Sequence, residues 1–207
     1  MDANSHIEVN LTGLLDNIKD AEVAAGRTPG SVDLVAVSKM QPVSLIEASI
    51  DAGQKLFGEN RVQEAIQKWP RLKENNQDLR LHLIGALQSN KARQAVRLFD
   101  VIETIDRPKL AKTLARLMDE EGHRPECLIQ VNTGEEAQKA GIMPKEADAF
   151  IKACQNEYGL PVTGLMCIPP AKEEPSLHYS FLYGIAERNG LSKLSMGMSR
   201  DYEVAIR

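Results

Sequence analysis

The chain has 207 residues, 43% of them hydrophobic, enough for one sizeable core, and the expectation is a single domain spanning residues 1–207. A formal net charge of -4 gives no electrostatic footprint for nucleic acid or an anionic membrane surface. No apolar run reaches the length of a membrane span, and Met1-Asp2-Ala3-Asn4-Ser5-His6 lacks a basic-then-apolar signal, so the reading is a cytoplasmic protein.

Residues 5–25 read as a helix, with Ile7, Leu11, Leu14, Leu15 and Ile18 at helical spacing and Gly26 as the stop. Val32-Asp33-Leu34-Val35-Ala36-Val37-Ser38-Lys39 follows as a strand. Its apolar, mostly β-branched residues predict burial on both faces. The final lysine is expensive to bury, so it should point into a mouth or cleft, where parallel α/β proteins keep their chemistry. The alternative is a lysine that merely ends a strand and snorkels to water. Pro42 opens a second helix and Gly53 ends it. Lys55 to Asn60 is a short strand. Arg61 to about Asn75 is a helix presenting Val62, Ala65, Ile66 and Trp69, in which Pro70 predicts a kink or break.

The pattern then repeats. Strands are predicted over Arg80–Leu87, Val101–Asp106, Glu126–Thr133, Val162–Pro169 and Lys193–Met198. Helices are predicted over Ser89–Phe99, from Pro108 to a stop at Gly122, from Pro144 through Cys154, over 176–189, and over Asp201–Ile206 with Ser199 as N-cap. Seven strands alternating with helices mean a parallel sheet with right-handed crossovers. This pace suggests a (β/α)8 TIM barrel one strand short, with a doubly wound open sheet as the runner-up. The runner-up usually carries a Gly-rich turn after the first strand, and that position here holds Ser38-Lys39-Met40-Gln41-Pro42. Cys127, Cys154 and Cys167 lack a CxxC spacing and read as reduced thiols; His6, His82, His123 and His178 show no metal-ligand spacing.

In a barrel the C-terminal ends of the strands line one mouth. Those ends carry Ser38-Lys39, Glu59-Asn60, Gly85 to Gln88, Thr104 to Asp106, Asn132-Thr133 and Gly197-Met198-Ser199: a basic amine facing amides, hydroxyls and a small-residue turn. Gly197-Met198-Ser199 follows the seventh strand, where barrels often bind phosphate through backbone N–H groups; a plain helix N-cap is the competing reading. An amine beside a phosphate cradle suits pyridoxal 5'-phosphate (PLP), which needs an amine for a Schiff base and an anchor for its phosphate. Partial burial of Lys39 at the mouth would favour the neutral, reactive amine. A class I aldolase is the weaker alternative.

The chain resembles the YggS/PROSC family of pyridoxal phosphate homeostasis proteins along essentially its whole length. The resemblance is carried by Leu34-Val35-Ala36-Val37-Ser38-Lys39, by Phe57-Gly58-Glu59-Asn60-Arg61-Val62-Gln63-Glu64, and by His82-Leu83-Ile84-Gly85-Ala86-Leu87-Gln88-Ser89-Asn90-Lys91. It continues through Ile105-Asp106, Gln130-Val131-Asn132, Lys139, Gly141, Gly164-Leu165-Met166 and Leu194-Ser195-Met196-Gly197-Met198-Ser199. The resemblance implies a (β/α)8 barrel of the alanine racemase N-terminal type. It also implies Lys39 as the Schiff-base lysine, Asn60 beside the cofactor, and Gly197, Met198 and Ser199 closest to its phosphate. His82 and Gly85 border the ring on this reading, although His82 could equally be a satisfied core histidine. The family continues with an eighth strand of the type GATxVRIGxxIFG, whose arginine approaches the pyridine nitrogen. That strand is absent here, and Arg207 is not that arginine. The expectation is an open seam between the first and seventh strands, with weakened cofactor binding.

The implied function is PLP binding in vitamin B6 homeostasis, without an established reaction. A small PLP-dependent amino-acid racemase of weak activity is the alternative. Racemases of this barrel type need a second acid/base on the opposite face of the ring, and Tyr158, Tyr179, Tyr183 and Tyr202 all lie in helix-like segments. The expected partners are PLP and PLP-dependent apo-enzymes, with no nucleic acid and no membrane, and the expected state is a monomer. Glu59, Glu103 and Asp106 read as solvated or salt-bridged carboxylates, and Lys139 as a solvent-exposed loop lysine.

Overall fold

Strand-forming runs of about five apolar residues alternate with amphipathic helices, and the computed structural model of the chain shows how they assemble. It describes residues 3–207; Met1 and Asp2, part of the terminus read above for a signal, lie outside them. The strands are β1 (Ala36–Val37), β2 (Leu56–Glu59), β3 (Arg80–Leu83), β4 (Val101–Ile105), β5 (Glu126–Gln130), β6 (Val162–Met166) and β7 (Lys193–Ser195). Around them lie α1 (Ala3–Ala24), α2 (Val43–Asp51), α3 (Val62–Asn75), α4 (Ala92–Leu98), α5 (Pro108–Glu121), α6 (Pro144–Lys152), α7 (Pro175–Arg188) and α8 (Tyr202–Ile206). All seven strands pair in parallel in chain order, so each neighbour pair is joined by a helical crossover.

The sheet curls. In a flat sheet, β4 and β7 would lie about 14 Å apart, at about 4.8 Å per strand. Yet Ser195 Oγ on β7 donates to Glu103 Oε2 on β4 at 2.5 Å, which two such short side chains achieve only across a concave surface. Lower down, Arg80 on β3 and Lys193 on β7 both reach Glu126 on β5, at 2.7 and 2.6 Å. The curl and the chain-ordered parallel sheet make this a TIM-barrel-like fold, with β1 and β7 as the edges of the described sheet.

Strand alternation sorts side chains to two faces. Outward, Phe57, Leu81, Leu83, Ile102, Ile129 and Leu165 meet Trp69, Phe99, Leu114 and Leu182 from the helices in the main core. Full burial of such a side chain stabilises by about 1.5–3 kcal/mol. Inward, Val101, Leu128 and Met166 form a small separate cluster inside the curl. Cys127, Cys154 and Cys167, read from the sequence as reduced thiols, are free and buried.

Several elements match the sequence closely. Pro108 opens α5, Leu110, Leu114, Leu117 and Met118 bury its apolar stripe, and Gly122 ends it at φ 65°. The first strand differs. Only Ala36 and Val37 pair as strand, and Val37 is 48% exposed, because β1 is an edge whose inner face meets no neighbour on its far side. Val32 and Leu34 instead pack with Ile18, Ala21, Tyr202 and Ile206 between α1 and α8. Pro70 does not break its helix: α3 runs through it. Pro70 and Ile66 both sit on the exposed side, where water can satisfy the carbonyl that the missing N–H leaves free. Ile66 thus leaves the buried face, and Leu72 joins it.

Candidate functional site

Lys39 ends the first strand-like run. The Ser38 hydroxyl turns outward to Glu59 Oε1, at 2.8 Å, so alternation turns Lys39 to the inner face. Lys39 is exposed, and its amine has no hydrogen-bond or ion-pair partner among the described residues. The partial burial expected from the sequence is therefore not found; the open edge at β1 leaves Lys39 in solvent.

Asn60 follows β2 and, by the same alternation, shares the inner face with Gly58. Its Oδ1 is buried without a partner. Gly85, just beyond β3, is packed against it: a Cβ at Gly85 would lie 2.2 Å from Asn60 O and 2.7 Å from Asn60 Cα. Only glycine allows this approach, so the position read from sequence as bordering a ring acts here by seating Asn60. Thr104 Oγ1 donates to Gly85 O at 2.8 Å and fixes the same turn.

His82 lies one inward position below, paired in register with Gly58. Its Nδ1–H donates to Glu103 Oε1 at 2.6 Å, while Ser195 Oγ donates to the other oxygen. The His82 ring is thereby oriented by a carboxylate, and its Nε2 is buried with no partner. His82 is neither a fully satisfied core histidine nor a solvated one: one nitrogen is held and the other is free inside the curl. Glu103, expected to be solvated or salt-bridged, is buried and bridges β3, β4 and β7.

The turn after β7 is built around Gly197, at φ 86°. A Cβ there would meet Ala205 Cβ at 2.8 Å, so both conformation and space favour glycine. Ser199 is not the N-cap: α8 starts at Tyr202, and Asp201 occupies the cap position. Asp201 organises the turn, accepting from Met198 N–H at 2.6 Å and from Tyr179 OH at 2.9 Å. Burial pushes the Tyr179 phenol well above its usual pKa, and Asp201 adds to the shift, so Tyr179 stays a donor. The N–H groups of Ser199 and Arg200 have no acceptor among the described residues. Sequence reasoning found the turn but not Tyr179 and Asp201, which meet only through the packing of α7.

Other polar strand ends serve local structure. Asn132 accepts from Glu136 N–H and donates to Glu136 O, closing the loop after β5. Asp106 pairs with Arg107. Lys139 is not a free exposed lysine; it pairs with Glu136 at 2.5 Å and reaches Pro169 O at 3.3 Å.

Behind Lys39 lies a polar cluster that the sequence did not disclose. Lys68 of α3, with a side chain only 10% exposed, contacts Glu59 at 2.6 Å, Glu64 at 2.8 Å and Ser38 O at 2.9 Å. Glu59 is fully buried and also accepts from Trp69 Nε1 at 3.0 Å. Glu64 accepts from Met40 N–H at 2.5 Å. Burial acts to lower the Lys68 pKa, but hydrogen bonds to Glu59 and Glu64 outweigh it and raise the value, so Lys68 stays charged. The hydrogen bond from Lys68 holds Glu64 below the usual carboxylate range.

Together the inner face offers a free amine, an amide oxygen and an imidazole nitrogen without partners, and backbone donors at a glycine turn. Buried polar atoms left without partners are costly, so this set fits a ligand carrying its own polar groups. A carbonyl for the amine and an anion for the turn match the donor chemistry. No cluster of His, Cys, Asp and Glu suited to a metal is present among the described residues.

Residues 9–189 match the family model of the alanine racemase N-terminal domain. The chain is 39% identical over 212 residues to a pyridoxal phosphate homeostasis protein of Vibrio alginolyticus, covering 98% of this chain and 91% of that one. It is 38% identical over 206 residues to the protein of the same name from Escherichia coli K12, covering 95% and 88%. Among solved structures, an unknown protein from Bifidobacterium adolescentis superposes with a TM-score of 0.93 at 31% identity, over 100% of this chain and 92% of that one. PipY of Synechococcus elongatus, solved with PLP bound, superposes with a TM-score of 0.76 at 36% identity, over 91% and 92%. An alanine racemase from Clostridium difficile shares the fold at 15% identity and a TM-score of 0.66, over 90% of this chain and 49% of that one.

Proposed function

This chain belongs to the family of pyridoxal phosphate homeostasis proteins, and from that premise we propose that it is a PLP-binding protein of vitamin B6 homeostasis that holds the cofactor on Lys39. The observation that carries the reading is the unpartnered Lys39 amine on the same inner face as the unpartnered Asn60 Oδ1 and His82 Nε2. PLP brings an aldehyde that an amine can capture as a Schiff base, and a phosphate that needs donors. Lys39 supplies the amine. Asn60 and His82, seated by Gly85 and by Glu103, offer polar contacts to the ring substituents. Gly197, Met198 and Ser199 form the phosphate turn; with Met198 N–H held by Asp201, the N–H groups of Ser199 and Arg200 are the donors.

The role we assign is that of a carrier acting as one domain over residues 1–207, a cytoplasmic monomer that passes PLP to PLP-dependent apo-enzymes, with no reaction of its own. The test is a PLP titration followed by absorbance. Wild type gains a long-wavelength band that Lys39→Ala lacks, and the loaded protein restores activity to a PLP-dependent apo-enzyme. In heavy water the loaded protein should not exchange amino-acid α-protons at a catalytic rate. Sustained exchange that vanishes in Lys39→Ala would overturn the carrier reading in favour of a racemase.

A further inference from the structure

The two peptide groups that flank Lys39 are both tied to α3. The Ser38 carbonyl, on the N-terminal side, accepts from Lys68 Nζ at 2.9 Å. The Met40 N–H, on the C-terminal side, donates to Glu64 Oε1 at 2.5 Å. These peptides define φ and ψ of Lys39, so fixing both fixes the direction of its Cα–Cβ bond. Lys68 is itself braced by Glu59 and Glu64, and Glu59 holds the Ser38 hydroxyl and the Trp69 indole N–H. The backbone so held is not relaxed: Met40 sits at φ 60°, a left-handed conformation that side-chain-bearing residues rarely adopt. β2 adds a tie of its own on the N-terminal side, where Ser38 N–H donates to Gly58 O at 3.0 Å, and Gln41 N–H also reaches Ser38 O at 3.1 Å, but the Met40 N–H on the C-terminal side is held by Glu64 alone.

We propose that Glu64 and Lys68, braced by Glu59, are positioning residues that hold Lys39 in the orientation from which it captures an aldehyde. This rests on the reading of Lys39 as the PLP-bearing lysine. Capture forms a C=N bond from the neutral amine and the aldehyde and releases one water, so no oxidant or reductant is needed. A lysine whose backbone turns freely reaches the aldehyde in fewer of its conformations, while a ligand that does not react with the amine is indifferent to it. Glu59, Glu64 and Lys68 thus act on covalent capture and not on the pocket.

The test compares two ligands on three proteins. PLP reacts with the amine; pyridoxamine 5'-phosphate shares the ring and phosphate but has no aldehyde. Glu64→Ala removes the Met40 acceptor at a partly exposed position and is expected to fold. It should bind PLP about tenfold more weakly and develop the long-wavelength band more slowly, with pyridoxamine 5'-phosphate affinity unchanged within about twofold. In a Lys39→Ala background, Glu64→Ala should have no further effect on PLP affinity. Lys68→Met, which also strips the buried Glu59 of its charged partner, should show a larger loss for PLP wherever it remains folded. Equal losses for both ligands, or wild-type behaviour of Glu64→Ala, would overturn the positioning role while leaving Lys39 as the attachment point. A wild-type protein that develops no band at all would remove the attachment reading and this inference with it.

Discussion

Gly85→Ala is the sharpest probe of how the site is seated. The added Cβ would lie 2.2 Å from Asn60 O, 2.7 Å from Asn60 Cα and 2.8 Å from Asn60 C. All three are backbone atoms at the end of β2, so no flexible side chain can yield. Ordinary contact begins near 3.4 Å, and the Asn60 backbone or the Gly85 turn must shift by about 1 Å. Overpacking of this kind costs about 1–3 kcal/mol, and straining the bond from Thr104 Oγ1 to Gly85 O, at 2.8 Å, adds to it. A loss of about 2–3 kcal/mol lowers Tm by about 4–12 °C in a protein of this size. Gly184→Ala provides the contrast: nothing lies within 4 Å of a Cβ there, and the site is helical, so it should gain about 0.5–1 kcal/mol. Urea unfolding measures both, and PLP titration of Gly85→Ala at a temperature where it is folded measures the site. Affinity should fall with stability because Asn60 moves. Wild-type stability and wild-type PLP affinity in Gly85→Ala would refute the argument that this glycine seats Asn60.

Two further outcomes follow from the polar ties inside the curl. Glu103→Ala leaves His82 Nδ1 and Ser195 Oγ without their shared acceptor in a buried setting, and should cost about 2–4 kcal/mol in urea unfolding; a loss below about 0.5 kcal/mol would show that the tie across β3, β4 and β7 is not held in solution. Glu126 is penalised by burial, yet hydrogen bonds from Lys193 and Arg80 prevail and hold its pKa down to about 2. Its contribution is therefore complete above the unfolded-state value of 4.5 and is lost as pH falls towards 2, amounting to about 1–2 kcal/mol once solvent screening of the half-exposed Arg80 and Lys193 is allowed for. Glu126→Gln should flatten the acid limb of the stability profile in that window, and an unchanged limb would contradict the assignment.

Much of this arrangement was legible in the sequence, and the failures have physical reasons. Proline at the start and glycine at the end bounded α5 because those residues answer local backbone demands. The run from Val32 to Val37 looked like a strand buried on both faces because composition cannot tell a central strand from an edge. Lys39, Asn60 and the Gly197 turn were legible as neighbours at one end of the sheet because strand ends in a barrel converge, which chain order alone reveals. His82 was read with its core alternative because its partner Glu103 sits on the next strand, a tertiary pairing that periodicity does not carry. Lys68 and Glu64 were missed for the opposite reason. Charges four residues apart on an amphipathic helix read as a solvated face, and only the packing of α3 against Ser38 turns them inward. Asp201 escaped notice because Ser199 offered a simpler cap two residues earlier.

Lys39 is proposed as the residue on which this chain holds PLP. The most direct measurement is borohydride reduction of the PLP-loaded protein, followed by proteolysis and mass mapping of the labelled peptide. A single modified lysine is expected, at Lys39, with the mark absent from Lys39→Ala. A stable mark on another lysine, such as Lys139, or no mark on the loaded wild type, would contradict it.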